Sequence, residues 1–376
     1  MTLDHKYRVM TLLGTRPEII RLSRVIPLFD ETFHHTLVHT GQNSGENLSG
    51  IFFSELGIRT PDVFLEAPTT SLGSFLASAF ESFETVLRHH NPEALLILGD
   101  TNSALLGIIA KRAGIPVYHM EAGNRSFDSN VPEETNRRIV DHFADFNLVY
   151  TEHARRNLLN EGIPPRHILK TGSPMREVIN HYEKPILQSK ILEALGLDAA
   201  KFFVVSAHRQ ENVDSPNRLN ALLDSLQEIC DHWGLPVIVS THPRTKQRLE
   251  DLNAKNLSPL IRFHEPFGFL DYLALQKNAL VVLSDSGTIS EEAAILGFKA
   301  VTIRDSMERP EALDTGAVIM AGLTNRNVIQ AIEKVLRAGP IECPEDYLPD
   351  NCSTRVTHFL MSTIDRYASW TGRITP

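Results

Sequence analysis

Short apolar runs alternate with amphipathic stretches of helical length along most of the chain. Tyr7–Leu13, Thr36–His39, Ala94–Leu98, Val117–Met120, Asn147–Tyr150 and Ile168–Lys170 read as strands. Pro17–Phe29, Leu72–His89, Ala104–Ala113, Glu133–Phe143 and Ala154–Asn160 read as the helices between them. Strands that alternate with helices predict right-handed βαβ units and a parallel sheet. The rhythm pauses over Arg176–Ala200, which holds Pro185 and a charged, helical-looking Ser189–Leu195. A second series then follows: Phe202–Ser206, Val237–Ser240, Ile261–Phe263, Ala279–Leu283, Ala300–Ile303 and Ala317–Met320. The pattern predicts an α/β chain of two Rossmann-like domains facing each other across a cleft, 1–175 and 176–352. From Ser353 to Trp370 the sequence reads as one helix, with Val356, Leu360, Ile364 and Tyr367 on a single stripe. We expect this tail, 353–376, to pack back on the first domain.

Composition narrows the class. Hydrophobic residues make up 42% and charged residues 22% of the 376, which excludes disorder, collagen and coiled coil. The net charge is -9 and no Lys/Arg tract stands out, so no nucleic-acid partner is expected. The apolar runs are strand-length, so no membrane span is expected either. Three cysteines, Cys230, Cys343 and Cys352, make no disulfide framework and fit a reducing, cytoplasmic setting.

In open parallel sheets, ligands bind outside the carboxyl ends of the strands. Gly14-Thr15-Arg16-Pro17-Glu18 follows the first strand. It is not GxGxxG, so the nicotinamide fingerprint is absent there. Thr15 and Glu18 fit a capping box, and Arg16 beside a helix N-terminus suits an anion. Asp100 follows another strand in Gly99-Asp100-Thr101, and Glu121 another in His119-Met120-Glu121-Ala122-Gly123-Asn124-Arg125. Pro132-Glu133-Glu134-Thr135-Asn136-Arg137-Arg138 opens a helix, where Glu133 and Arg137 are spaced as a favourable surface pair. That pairing accounts for one carboxylate, but not for three at the same edge of one sheet. Clustered carboxylates shift one another's pKa and make acid/base sets.

In the second half, Ser206-Ala207-His208-Arg209-Gln210-Glu211-Asn212 also lies just past a strand. Ser284-Asp285-Ser286-Gly287-Thr288-Ile289-Ser290-Glu291-Glu292 reads as strand, tight turn and helix, with Thr288 and Glu291 as a second capping box. Ser286, Gly287 and Thr288 would offer amides at a helix N-terminus, a phosphate cradle without a Walker lysine. Arg304 and Glu308-Arg309-Pro310-Glu311 follow the next strand. No HExxH, CxxC or GxSxG occurs, so no metal site and no nucleophile elbow are expected.

Taken together, these segments resemble the non-hydrolysing UDP-N-acetylglucosamine 2-epimerases. The matching pieces run in order from Gly14 to about Gly322: GTRPE, TGQ at Thr40–Gln42, GDT, HMEAGNR, PEETNR, HRQEN, SDSGTISEE and ERPE. That family has two Rossmann-like domains in the GT-B arrangement and inverts C2 of a UDP-linked 2-acetamido sugar without a cofactor. The resemblance implies Asp100, Glu121, Glu133 and His208 as catalytic residues. It implies Arg16, Arg21, Gln42, Arg137, Arg209, Ser286, Gly287, Thr288, Glu292 and Arg309 as groups holding the UDP-sugar, with Tyr272 near the uracil. A homodimer is the assembly it leads us to expect. Arg21 stands where the family usually has lysine, and Asn43 where it usually has histidine. In some members that histidine touches a second, activating UDP-sugar. The fuller strings RLSR, HMEAGNR, TGSPM and SDSGTISEE are more similar to the subgroup that forms UDP-N-acetyl-L-fucosamine. The expected substrate is therefore UDP-2-acetamido-2,6-dideoxy-L-talose, with the UDP-N-acetylglucosamine/UDP-N-acetylmannosamine pair as the alternative. A GT-B glycosyltransferase would need the same diphosphate clamp but fewer first-domain carboxylates.

Overall fold

The computed structural model describes residues 6–42, 52–65, 67–68, 70–207, 215–241 and 257–372. His208, Arg209 and Asn43 lie outside the described residues. The chain forms two compact units, Met1–Asn180 with Leu348–Pro376, and His181–Tyr347.

The first unit carries seven parallel strands: β1 (Arg8–Leu13), β2 (His34–His39), β3 (Val63–Phe64), β4 (Ala94–Leu98), β5 (Val117–Met120), β6 (Phe146–Val149) and β7 (Ile168–Lys170). Their order is β3-β2-β1-β4-β5-β6-β7, so the winding reverses between β1 and β4. The connecting helices are α1 (Arg16–Leu22), α2 (Val25–Thr32), α3 (Leu72–His90), α4 (Gly107–Ala113), α5 (Pro132–Phe143), α6 (Glu152–Asn160) and α7 (Met175–His181). β4 is apolar on both faces because helices cover both, and every one of its residues is buried. Met10 and Leu12 of β1 and Leu95 and Ile97 of β4 pack with Phe75, Ala79 and Phe83 of α3. Each of these side chains larger than alanine contributes about 1.5–3 kcal/mol on burial.

Local sequence reading needs three corrections here. The predicted helix Pro17–Phe29 is two helices, broken at Ser23–Arg24. Pro27 has no amide hydrogen to bond the Ser23 carbonyl, so the helix restarts with the proline in its first turn. The two-residue β3 was not anticipated, being too short to show a period. The tail is not one helix: α15 (Cys352–Thr363) gives way to a 3-10 turn at Ile364–Arg366 and then α16 (Tyr367–Thr371). The Ser362 and Thr363 hydroxyls donate to carbonyls four residues back, a habit that bends helices. Within this unit the tail is anchored by the Tyr118 and Thr363 hydroxyls, 2.7 Å apart, and by Phe359 set edge-on to Phe146.

The second unit opens with α8 (Glu183–Gln188) and α9 (Ile191–Leu195). Its six parallel strands are β8 (Phe203–Ser206), β9 (Val237–Ser240), β10 (Ile261–His264), β11 (Val281–Ser284), β12 (Ala300–Thr302) and β13 (Val318–Met320). Their order, β10-β9-β8-β11-β12-β13, reverses between β8 and β11. The helices among them are α10 (Pro216–Trp233), α11 (Phe269–Asn278), α12 (Ile289–Leu296), α13 (Glu311–Asp314) and α14 (Asn325–Arg337). Both units are Rossmann-like. Among the described residues no helix is long and apolar enough to cross a membrane.

Candidate active site

In the first unit the loops after β1, β2, β4 and β5 and the start of α5 meet at the carboxyl edge of the sheet, around the β1/β4 reversal. Gly14 makes the approach possible. A Cβ there would collide with the Thr40 and Ser103 hydroxyls, which are hydrogen-bonded to each other at 2.7 Å. Gln42 joins them: its Oε1 accepts from the Ser103 amide (3.0 Å) and hydroxyl (2.9 Å).

Glu18 completes the capping box with Thr15, and its reach is wider. The Gly14 and Thr15 amides donate to its Oε2 at 2.6 and 2.7 Å, and the Thr101 hydroxyl donates to its Oε1 at 2.7 Å. Burial pushes its carboxyl up to about 7, against those three hydrogen bonds, which pull the other way. Arg16 is half-buried, with its guanidinium 5.6 Å from the centre of the Phe52 ring. Desolvation lowers its pKa from the ordinary value, and no carboxylate among the described residues pairs with it. A desolvated guanidinium of this kind is a receptor for an anion.

Arg21 and Glu121 form a buried ion pair, 6% and 7% exposed in their side chains, from positions 100 residues apart. Glu121 itself has φ +66, the left-handed region that glutamate seldom adopts. Asp100, partly exposed just past β4, is paired with the buried Arg137 of α5. The Asn136 side-chain amide steadies the same loop, donating to the Asp100 carbonyl and to Asn102 Oδ1, both at 3.0 Å.

The expected Glu133–Arg137 surface pair does not form. Arg137 is buried and its partners include Asp100 and Glu134, the latter at 2.9 Å. Glu133 stands exposed in the first turn of α5, while Glu134 turns inward. The reason is helical phase: three residues rather than four separate Glu134 from Arg137 on the inner face. Glu134 also accepts from the Ser126 amide at 2.9 Å and so ties down the loop before α5. Burial would raise its pKa, but the Ser126 amide, Arg137 and Arg138 hold it below the usual value.

Sequence reading gave no role to Glu134 or Asp141, and it noted His119 only as part of a motif. The inward phase of α5, with Glu134, Arg137, Val140 and Asp141 buried, is the signal that could have found the first two.

In the second unit, Ser286, Gly287 and Thr288 form the turn between β11 and α12. The Ser286 amide donates to Ser284 Oγ (3.0 Å) and the Thr288 amide to Ser286 Oγ (3.3 Å). Two of the amides expected to cradle an anion are therefore engaged by neighbouring hydroxyls. The expected Thr288–Glu291 capping box is absent: Thr288 is the cap residue in αR conformation and accepts no cap hydrogen bond. Its hydroxyl instead lies 3.0 Å from that of Ser286, and Glu291 is buried 3.4 Å from Arg309. Gly287 lets that guanidinium come close; a Cβ would lie 3.1 Å from Arg309 Nη1. Arg304 is buried beside it and paired with Glu308, at 2.9 Å for Nη2 to Oε1. Glu292 accepts from the Gln276 amide at 2.7 Å. Tyr272, one turn before Gln276 on α11, has its phenol pushed up by burial and by the charge of Glu292.

Comparison with known proteins assigns this arrangement to a family. The sequence profile described as UDP-N-acetylglucosamine 2-epimerase matches residues 29–361. The UDP-N-acetylglucosamine 2-epimerase of Methanococcus maripaludis is 37% identical over 341 residues, 88% of this chain and 92% of its own length. The UDP-2,3-diacetamido-2,3-dideoxy-D-glucuronate 2-epimerase of Pseudomonas aeruginosa is 32% identical, covering 94% of this chain and 99% of its own. Among solved structures, the UDP-N-acetylglucosamine 2-epimerase of Rickettsia bellii superposes with a TM-score of 0.91 at 44% identity, over 97% of this chain and 98% of that one. The Methanocaldococcus jannaschii enzyme, crystallised with UDP-GlcNAc and UDP, gives 0.88 at 35% identity, over 94% and 99%. The two parallel Rossmann-like sheets are the GT-B fold class of these neighbours. The chain belongs to the UDP-N-acetylglucosamine 2-epimerase family and is a non-hydrolysing UDP-sugar 2-epimerase.

Proposed function

We propose that this enzyme inverts C2 of UDP-2-acetamido-2,6-dideoxy-L-talose to give UDP-N-acetyl-L-fucosamine for surface polysaccharide synthesis. The reaction runs by elimination and re-addition of UDP. C2 of such a sugar is not next to a carbonyl, so direct proton exchange there is too hard. A carboxylate takes the C2 proton while the C1–O bond to UDP breaks, its electron pair leaving with the diphosphate. A 2-acetamidoglycal remains, with a double bond between C1 and C2. The diphosphate oxygen then adds back to C1, and a proton reaches C2 on its other face.

The observation that carries this reading is the edge of the first sheet, where Asp100 and Glu121 each meet a buried guanidinium. Two carboxylates in cationic surroundings, with Glu133 exposed nearby on α5, supply what a proton removal and a proton delivery need. His208 is a further acid/base group in this reading. Arg16, Gln42 and Arg137 hold the sugar diphosphate, with Arg21 setting Glu121. In the second unit Ser286, Gly287, Thr288, Arg209 and Arg309 hold the phosphates, Glu292 the ribose, and Tyr272 lies against the uracil. The L-sugar assignment is supported by RLSR, HMEAGNR, TGSPM and SDSGTISEE, and by Arg21 and Asn43. UDP-N-acetylglucosamine is the second reading, favoured by the names of the relatives at 37% and 44% identity.

Two measurements test this. In deuterated water the product should carry deuterium at C2; retention of the original hydrogen, or a need for NAD, sinks the elimination. Comparing kcat/KM for the two UDP-sugars decides the substrate. A pocket shaped for the C6 methyl rejects a hydroxyl only weakly, so some turnover of UDP-N-acetylglucosamine is expected. A clear preference for it, with sigmoidal kinetics, overturns the L-sugar assignment.

A further inference from the structure

Behind Asp100 and Glu121 lies a polar pair with no exposure at all, His119 and Asp141. His119 is in β5 and Asp141 in α5, and their side chains approach to 2.9 Å, Nδ1 to Oδ1. The other ring nitrogen, Nε2, donates to the Gly99 carbonyl at 2.8 Å. Asp141 in turn accepts from the Gly123 amide, at 3.2 Å to Oδ1 and 3.1 Å to Oδ2, and from Arg125 Nη1 at 2.6 Å. Arg125 continues to Glu161 through Nε at 2.8 Å and Nη2 at 2.6 Å. Burial would raise the Asp141 carboxyl, but His119 and Arg125 outweigh it and hold the group below the usual carboxylate range.

The backbone atoms that this pair grips are the telling feature. Gly99 immediately precedes Asp100, and Gly123 follows Glu121 by two residues. Gly99, Glu121 and Gly123 all have positive φ, at 74°, 66° and 80°. Such turns point backbone groups away from the sheet ladder, and buried ones must find other partners. Asp141 also lies one turn beyond Arg137, the cation that meets Asp100. A single buried pair therefore reaches the loop after β4, the loop after β5 and the helix that carries the cation. For stability alone, apolar residues of similar volume would serve as well as a buried polar pair, or better.

We infer that His119 and Asp141 are positioning residues for the C2 inversion: they fix the spacing of Asp100, Glu121 and Arg137 without touching the sugar. The inference rests on the proposed roles of Asp100 and Glu121. Catalytic geometry must hold to a fraction of an ångström, and a displacement of about 1 Å costs on the order of 100-fold in rate.

The test uses the full chain, with whichever UDP-sugar it turns over best. Kinetics, UDP affinity by calorimetry and thermal midpoint are measured for His119→Phe, His119→Gln and Asp141→Asn, beside Asp100→Asn and Glu121→Gln. His119→Phe should lower kcat by about 100-fold while the UDP Kd stays within about twofold. In His119→Gln the amide nitrogen takes the place of Nε2 and donates to the Gly99 carbonyl. It should recover kcat to within about tenfold of the parent. Asp141→Asn, which keeps the shape and loses the charge, should fall between the two and stands in if His119→Phe does not fold. The inference is overturned if His119→Phe keeps its kcat, if kcat and UDP affinity fall together, or if His119→Gln is no better than His119→Phe. Should Asp100→Asn and Glu121→Gln keep full activity, the proposed site itself is wrong; should they lose it while His119→Phe does not, only this inference fails.

Discussion

Arg137 of α5 and Asp100 at the end of β4 form an ion pair 37 residues apart, with the cation buried and the carboxylate partly open to solvent. The carboxylate keeps an open face, while the buried cation fixes its orientation. Asp100→Asn keeps the shape and removes the carboxylate to which proton transfer is assigned in the proposed reaction. We expect kcat to fall about 10²–10⁴-fold with KM changed by only a few-fold. Steady-state kinetics decide it, and an unchanged kcat would remove Asp100 from the chemistry.

Arg21 and Glu121 are both buried, so removing one takes from the other the opposite charge that offsets its burial. Arg21→Ala should cost about 3–5 kcal/mol of stability, read as a lower urea midpoint. Arg21→Lys keeps the charge, places it on a flexible stem without the planar fork, and should lose less than half as much. Equal losses for the two variants would mean that the guanidinium geometry is what matters.

Glu18 predicts a pH dependence of stability. Its carboxyl rises from 4.5 to about 7 on folding, so the folded state holds a proton that the unfolded chain releases. Its contribution is fully present below about pH 4.5 and is lost as pH rises through about 7. The loss amounts to about 3 kcal/mol. Glu18→Gln cannot ionise. Its amide oxygen still accepts from Gly14 and Thr15, and its nitrogen donates to the Thr101 hydroxyl. Urea titrations at pH 5 and pH 8 should show the parent weakening relative to Glu18→Gln at the higher pH; parallel behaviour refutes the assignment.

Gly123 has no room for a side chain. A Cβ would run into the backbone carbonyl of Ala154, and φ is +80. Backbone cannot swing aside as a flexible side chain would, so Gly123→Ala should cost at least about 2 kcal/mol. A drop of several degrees in thermal midpoint is the expected reading. Gly99→Ala, at a similar φ of +74 but with nothing within 4 Å of its Cβ, should cost less.

Much of this was legible in the sequence because it is local. Periodicity separates strand from helix within a few residues, and a parallel sheet puts every strand's carboxyl end at one edge. Arg16, Asp100, Glu121 and Ser286 could therefore be placed at sheet edges without coordinates. Pairing is not local. The strand order brings β1, β4 and β5 side by side, and only then does Arg21 find Glu121 and Glu18 find Thr101. The phase of α5, set by what it packs against, decided that Glu134 rather than Glu133 meets Arg137. Pro27 could have warned of the break in the first helix, but the rest of that stretch keeps a helical period on both sides. His119 and Asp141 are 22 positions apart, and their meeting depends on the crossing of a strand and a helix that no spacing rule specifies. The chain's own chemistry determined which groups are present at the site; the sheet order determined which of them share a proton, a charge or a hydrogen bond, because those energies fall off within a few ångströms.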